Sequence, residues 1–377
     1  MNSISTNDLL NNIECTGCTS CLNSCPSHAI KMGTDKEGFD YPMVDSTICI
    51  GCRICMQKCP SRNSTKKNNK PVATYSCYAK SNDKVNQGSS GGIIPILSDY
   101  VIRMDGVVFG AIFDKQSKEV RHSSSESVEL SELFRSKYVQ SKVGDCFSAV
   151  KKLLEEGKVV LFTGTPCQTA GLKSYLNKDY QNLILVDFVC HGVPSPGVFK
   201  NFIHNYEQKE HSKIENISFR EKDNGWVKQT IKVYYKNHKI HRIYSKKSVF
   251  YNLFIFNFIL RKSCYSCQYN QYHQADLTVA DDWKSHKNID GVSKVIIHSQ
   301  RGLEVFKEIY EDIISNQTYF ENELQHSYKD NYRRFFFKFF NPKSSNNCLY
   351  VISYVISIVE RLRIKISAIF KNGVHHE

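Results

Sequence analysis

The chain carries Cys15, Cys18, Cys21, Cys25 and Pro26, and then again Cys49, Cys52, Cys55, Cys59 and Pro60. Nothing else in its 377 residues restricts the fold as much. Each run has the spacing C-x2-C-x2-C-x3-C-P. A tight turn with a thiolate every third residue points three sulfurs at one cubane, and the fourth reaches across to a second. The ligand sets are therefore expected to cross: Cys15, Cys18, Cys21 and Cys59 around one 4Fe-4S cluster, and Cys49, Cys52, Cys55 and Cys25 around the other. With cysteine at about 4% of the chain, one such run is completed by chance roughly once in 10⁴ trials, and here it occurs twice. Zinc would more often present two C-x2-C pairs, and disulfides would need an oxidising compartment.

Such runs are the bacterial ferredoxin spacing. Between them Ala29–Met32 and Tyr41–Val44 read as a small hairpin around a turn with Gly and Asp. A module of this size buries little core, so the clusters are expected to supply its stability as well as its electron transfer. Residues 1–62 form this module, and the polar, basic stretch 63–71 reads as a linker. Beyond it lies a body at 72–325 and a basic, aromatic tail at 326–377. The module carries a net charge of about −1 and the rest about +14. A basic body suits anionic ligands such as dinucleotide phosphates, and equally a solvated basic face.

In the body, Val72–Tyr78 is a strand candidate. Gln87–Gly92 opens a helix with apolar spacing from Ile93, where bare glycines either cap the helix or let backbone N–H groups approach a phosphate. Gly106–Asp114 has a buried-strand pattern, and a short helix is expected near Val128–Phe134. A strand at Lys158–Phe162, a helix at Cys167–Leu176, a strand at Leu183–Val189 and a helix from Pro196 give a β-α-β-α order, hence parallel strands joined by a right-handed crossover. Cys167 and Cys190 each follow the carboxyl end of a strand and so share the edge where open α/β sheets bind ligands. Cys167 also starts a helix, a position expected to lower its thiol pKa. Residues 214–245 alternate as a small antiparallel insert. A helix at Val249–Leu260 delivers Cys264 and Cys267, followed by a strand ending at Asp281–Trp283. The fold class is thus a ferredoxin module of α+β type fused to a larger α/β body with a parallel βαβ unit.

Seven cysteines lie beyond the module. Cys77, Cys146 and Cys348 read as structural, while Cys167, Cys190, Cys264 and Cys267 occupy special contexts. Four thiolates would serve a third 4Fe-4S cluster or one zinc; small buried hydrophobes and a redox-active Cys264/Cys267 pair are the other readings.

Residues 72 to about 300 resemble the coenzyme F(420) hydrogenase/dehydrogenase beta-subunit family. The motifs that carry the resemblance are Ser90-Gly91-Gly92, Ser136-Lys137-Tyr138-Val139-Gln140-Ser141, Gly164-Thr165-Pro166-Cys167-Gln168, Cys190-His191-Gly192, Cys264-Tyr265-Ser266-Cys267 and Ala280-Asp281-Asp282-Trp283. The resemblance implies an FAD-binding α/β body with a 4Fe-4S cluster held by Cys167, Cys190, Cys264 and Cys267. It also implies flavin-pocket roles for Ser90, Gly91, Gly92, Lys137, Tyr138, Gly164, Thr165 and Gln168. Clusters pass one electron and hydride acceptors take two, so a flavin joining them is chemically coherent. His191 is a candidate proton donor, or a histidine hydrogen-bonded at a strand end.

The expected function is an iron–sulfur flavoprotein oxidoreductase working between a ferredoxin-type donor, or redox partner subunit, and a small-molecule or deazaflavin substrate; relatives of this arrangement act on sugar or pigment substrates as well. The alternative is an electron-transfer subunit that docks on a separate catalytic partner. Positive charge alone does not make a nucleic-acid binder, and none is expected. Met1–Asn12 is polar without the apolar core of a signal peptide, and no run of 18 apolar residues occurs, so a cytoplasmic protein is expected. The tail, with Tyr332–Phe340 and a helix-like Leu349–Phe370, suits either a membrane interface or packing on the body or a partner.

Overall fold

A computed structural model describes residues 3–11, 14–63, 70–269, 272–285, 290–319 and 331–340, with isolated positions between 351 and 359. The helix-like Leu349–Phe370, Cys348 and most of the 63–71 linker lie outside the described residues.

The N-terminal module is a hairpin, β1 (Ile30–Thr34) and β2 (Asp40–Val44), paired antiparallel from Ile30↔Val44 to Thr34↔Asp40. The two cysteine runs flank it and repeat one backbone path. Gly17 and Gly51 sit at φ 72° and 69°, and Thr19 and Arg53 at 64° and 58°. Each pair is followed by one helical turn, Ser20–Asn23 or Ile54–Gln57. Positive φ at the residue before a cysteine is what lets the chain curl around a point, and glycine adopts it at little cost. The module's own hydrophobic cluster is small, Ile4, Leu9, Ile30 and Cys55, with Cys21, Leu22, Cys25, Val44, Cys49 and Met56 packed against it, while the buried Phe39 joins the body's core.

The body is a mixed α/β unit built on β3 (Ala73–Ala79), β4 (Val107–Asp114), β5 (Glu119–Ser124), β6 (Val160–Thr163), β7 (Leu183–Phe188), β11 (Leu277–Asp281), β12 (Ser293–Ile297) and β13 (Ile313–Gln317). Their order in the sheet is β13-β3-β12-β11-β7-β6-β4-β5. The strands β4, β6, β7 and β11 run parallel, and antiparallel strands close both sides. The β6–β7 connection through helix Pro166–Leu176 is the expected βαβ unit, and β4 lies parallel to β6, with helix Cys146–Glu155 leading into β6. The chain leaves β7 through helix Pro196–Glu210. It then forms a second antiparallel sheet of β8 (Ile214–Glu221), β9 (Thr230–Tyr235) and β10 (Ile240–Tyr244), and returns as β11.

Some elements differ from the sequence reading. The expected helix at Val249–Leu260 stops at Ile255. Asn257 takes φ 63° and Leu260 instead bridges Pro194, which delivers Cys264 on a short 3-10 turn, Lys262–Cys264. The segment near Val128–Phe134 is a 3-10 turn, Leu130–Leu133. The strands β5, β12 and β13 and helix Gln300–Glu308 complete the sheet and were not read from the sequence.

The first part of the tail is a helix, Asn331–Phe339, that packs inward. Phe336 is fully buried in the core formed by helices Pro196–Glu210 and Val249–Ile255 and the β8–β10 sheet. Arg333 is buried too, donating to the Leu260 carbonyl and pairing with Glu37 of the module hairpin. Packing on the body is therefore what this stretch does, and the helix clamps body to module.

Candidate functional site

The module rests directly on the body. At the hairpin tip, Gly38 (φ 83°) lies so close to Gly197 that a Cβ on Gly38 would sit 2.5 Å from the Gly197 Cα. Ser195 Oγ, the N-cap of helix Pro196–Glu210, donates to the Glu37 carbonyl at 2.5 Å. On helix Pro166–Leu176, Gly171 faces Cys18: an added Cβ would meet Cys18 Cβ at 2.8 Å and its Sγ at 3.0 Å. Ser174 Oγ, one turn further, donates to the Lys58 carbonyl at 2.9 Å.

Twelve cysteines line three cavities in sets of four. Cys15, Cys18, Cys21 and Cys59 face a space of about 380 Å³, and Cys25, Cys49, Cys52 and Cys55 one of about 310 Å³. These are the crossed sets expected from the spacing. Cys167, Cys190, Cys264 and Cys267 face a third space of about 540 Å³, together with Arg261, Tyr269 and His273. Thr16 belongs to the walls of both the first and the third. Among the described residues, no three His, Cys, Asp or Glu groups converge as they would on a single ion. The thiols ring spaces instead.

The helix Pro166–Leu176 places Cys167. Its capping box is complete: Thr165 and Gln168 satisfy each other's backbone N–H groups, and Pro166 occupies the first helical position. The expected low thiol pKa at this helix start is not what results. Burial pushes Cys167 up to about 11, outweighing the Thr165 hydroxyl, the Arg261 charge and the helix N–H groups that pull it down. Burial likewise drives Cys18 and Cys264 to about 12, and Cys21 and Cys190 well above the ordinary thiol. Thiols this desolvated ionise only beside strong positive charge, which coordinated metal supplies. The donor sets therefore fit iron–sulfur groups.

The residues expected to bind flavin lie on three loops that touch: Ser136 N–H donates to Ser89 Oγ at 2.8 Å, and Gln168 reaches the Ser136–Ser141 stretch at Ser141. Ser90 Oγ donates to the Val292 carbonyl at 2.6 Å, and Gly91 N–H to Ser293 Oγ at 2.9 Å. Gly91 and Gly92 press against the backbones of Cys77 and Lys84, so these glycines serve chain-to-chain approach. Gly164 adjoins the Thr165–Gln168 box, and Gln168 also donates to Ser141 Oγ at 2.9 Å. Lys137 lines a fourth, polar and open cavity between the Arg135–Lys137 stretch and strands β8 and β9. Its amine, donating to the Glu132 and Phe134 carbonyls, is lowered by burial to about 7. Tyr138, the next residue, stands 5.5 Å from the Phe254 ring, and Phe254 stands 5.0 Å from His191, the neighbour of Cys190. Burial lowers the His191 pKa, so the ring is neutral near pH 7.

Two further sites were not read from the sequence. Asp187, fully buried at the end of β7, accepts from Thr278 Oγ1 at 2.5 Å and lies 2.9 Å from His273 Nδ1, whose ring stacks on His298. Arg220 pairs with Asp281 through both terminal nitrogens, at 2.9 and 3.0 Å, beside the stacked Trp226 and Trp283. Both join strands far apart in the chain, and only the acidic end of β11 is visible in the sequence.

A docked module with two four-thiol cavities, joined to a mixed α/β body with a third, defines an iron–sulfur protein of the electron-transfer class. Residues 14–63 match the 4Fe-4S dicluster domain, and residues 157–319 match the family described as the C terminus of the coenzyme F420 hydrogenase/dehydrogenase beta subunit. The chain thus joins a 4Fe-4S dicluster domain to a domain of the coenzyme F420 hydrogenase/dehydrogenase beta-subunit family. The second match takes in Cys167, Cys190, Cys264 and Cys267, while Ser90–Gly92 and Ser136–Ser141 lie upstream of it. Among solved structures, the chain is similar to one in the xenon-derivatised F420-reducing NiFe hydrogenase complex from Methanosarcina barkeri: 15% identity over 66% of this chain and 82% of that one, with a TM-score of 0.45. No curated protein matches. Among the described residues no helix is long and apolar enough to cross a membrane.

Proposed function

We propose that the chain is an iron–sulfur flavoprotein oxidoreductase, carrying electrons between a ferredoxin-type donor and an organic or deazaflavin substrate. The observation that carries this reading is the succession of four-thiol cavities: the crossed pair in the module, then a third sharing Thr16 with the first. Three 4Fe-4S clusters would occupy them, and FAD bound beside them would exchange single electrons on one side and electron pairs on the other.

The chain's own residues support this in separate ways. Cys167, Cys190, Cys264 and Cys267 would hold the third cluster inside the body. The polar cavity beside Lys137 is the proposed place for the cofactor; the Arg135 charge in its wall is met by Glu221 at 2.6 Å, so a pyrophosphate there would have to share that arginine. Tyr138, Phe254 and His191 form a continuous aromatic path from that cavity's edge to Cys190. Of the eight proposed flavin residues, Lys137 and Tyr138 are nearest it; Ser90, Gly91, Gly92, Gly164, Thr165 and Gln168 would shape the pocket indirectly, through the loops they hold. His191 is the proposed proton donor at the substrate edge: burial, which lowers its pKa, makes its protonated form the stronger acid.

A second reading, an electron-transfer subunit docked on a catalytic partner, is favoured by the family description itself, which names a beta subunit. One preparation separates the two. Anaerobically purified chain should contain about 12 iron atoms, four for each of three cubanes, and bind flavin. It should then reduce an added deazaflavin or other organic acceptor unaided. Full iron without flavin binding rejects the enzyme, and flavin binding without turnover favours the subunit.

A further inference from the structure

Arg261 is fully buried, and its surroundings are unusual for a guanidinium. Its Nε donates to the Cys15 carbonyl at 2.7 Å, Nη2 to the Asp40 carbonyl at 2.9 Å and Nη1 to Gln140 Oε1 at 3.0 Å. Nη2 also lies 3.8 Å from Cys15 Sγ, and the plane stacks 4.1 Å from the Tyr41 ring centre. The buried Arg220 and Arg333 each meet a carboxylate, Asp281 and Glu37. Arg261 meets none among the described residues. A buried cation without an anion costs several kcal/mol, so the charge needs a partner. What surrounds it is sulfur: Cys15 of the first set on one side, and on the other the cavity of Cys167, Cys190, Cys264 and Cys267, whose wall it forms. Its charge is felt by Cys167 and Cys264, pulling both thiols down against burial.

We propose that Arg261 is the shared counter-charge of the first and third thiol sets, a positioning residue that favours the reduced, more negative state of both iron–sulfur groups at once. The assignment rests on the iron–sulfur reading of those sets. Reduction adds one electron to a group and makes or breaks no bond. A fixed positive charge a few ångströms away in a low-dielectric interior stabilises the added charge more than the state before it, and so raises the midpoint potential. Arg261 lies 3.8 Å from a thiol of the first set and in the wall of the third. It neither lines the cavity of the second, Cys25, Cys49, Cys52 and Cys55, nor bonds one of its thiols, so that set should not respond. Arg261 is also placed to keep the first and third sets in register, since its one side chain holds the Cys15 turn, the module hairpin and the Gln140 segment together.

The test is a redox titration of the full, anaerobically purified chain followed by electron paramagnetic resonance, with iron content measured on each sample. In Arg261→Gln two of the three midpoint potentials should move negative together while the third stays. Arg261→Lys, which keeps the charge, should restore most of the shift. Gln140→Glu provides a route that leaves Arg261 in place: a carboxylate at the 3.0 Å contact neutralises it, and the same two potentials should fall. Iron-replete Arg261→Gln or Gln140→Glu protein with all three potentials at wild-type values overturns the assignment, as does an equal fall in all three. Wild-type protein without iron overturns the iron–sulfur reading and this assignment with it.

Discussion

The dicluster module collects eight cysteines between Cys15 and Cys59, whereas the body collects four from three separate segments ending at Cys267. In the module the thiols are part of the core: Cys55 is one of the four buried members of its hydrophobic cluster, and Cys21, Cys25 and Cys49 pack against them. In the body the thiols sit at the rim of a sheet whose cores, around residues such as Leu161, Val186 and Ile297, hold none of them as a buried member; Cys264 packs against the edge of one. The contrast teaches that a metal site can be either the reason a segment folds or a fitting on a segment that folds for other reasons.

The largest test of that contrast is iron removal. Anaerobic chelation should abolish amide protection across residues 15–60 while the β4–β6–β7 core keeps its own, measured by hydrogen exchange; a body that opens in step with the module would break the comparison. Next in size is Phe336→Ala. Removing a fully buried ring from the body should cost about 3–5 kcal/mol in denaturant unfolding and leave the iron content of the module unchanged. Gly171→Ala probes the seam between the regions. A methyl 2.8 Å from Cys18 Cβ must push helix and module apart, at about 1–3 kcal/mol, and the first cluster's spectrum should change while the second's does not. The smallest effect concerns acid. Burial alone would raise the Asp114 pKa, but N–H bonds from Gln116 and Ser117 and the Arg121 guanidinium bring it down to about 2. Its folded pKa lies below its unfolded one, so its stabilisation is present above about pH 4 and lost as pH falls through about 2. Asp114→Asn should remove about 1–2 kcal/mol at pH 7 and flatten the body's acid limb; a module-centred acid transition would show up instead as unchanged slope.

The same contrast explains what could be read without coordinates. The module was legible because its ligands are close in sequence and the turn geometry sets their spacing. Even the crossing of Cys25 and Cys59 followed from that spacing. The parallel pair β6–β7 was legible because periodicity alternated between strand and helix, and that put Cys167 and Cys190 on one edge. The antiparallel flanks were harder. β13 is half exposed and short, and β12 carries a continuous apolar run, Val295-Ile296-Ile297, that fits a buried strand or a helix equally. Arg261 could not have been picked out, since a single arginine after an apolar segment reads as a helix end. Its role depends on Gln140 and Cys15, distant in the chain and brought near by the docking. Gly91 and Gly92 are ambiguous for a related reason: such glycines suit both phosphate approach and tight chain crossing, and only the fold shows the backbones of Cys77 and Lys84 pressed against them.

The glycine pair at the hairpin tip carries a lesson about grafting. Gly38 and Gly197 meet backbone to backbone, and neither position has room for even a methyl group. A borrowed iron–sulfur unit spliced onto this host would therefore seat properly only if its own hairpin ended in glycine. Any graft of a different iron–sulfur unit onto this body would be tested first at a spot carrying no cysteine at all.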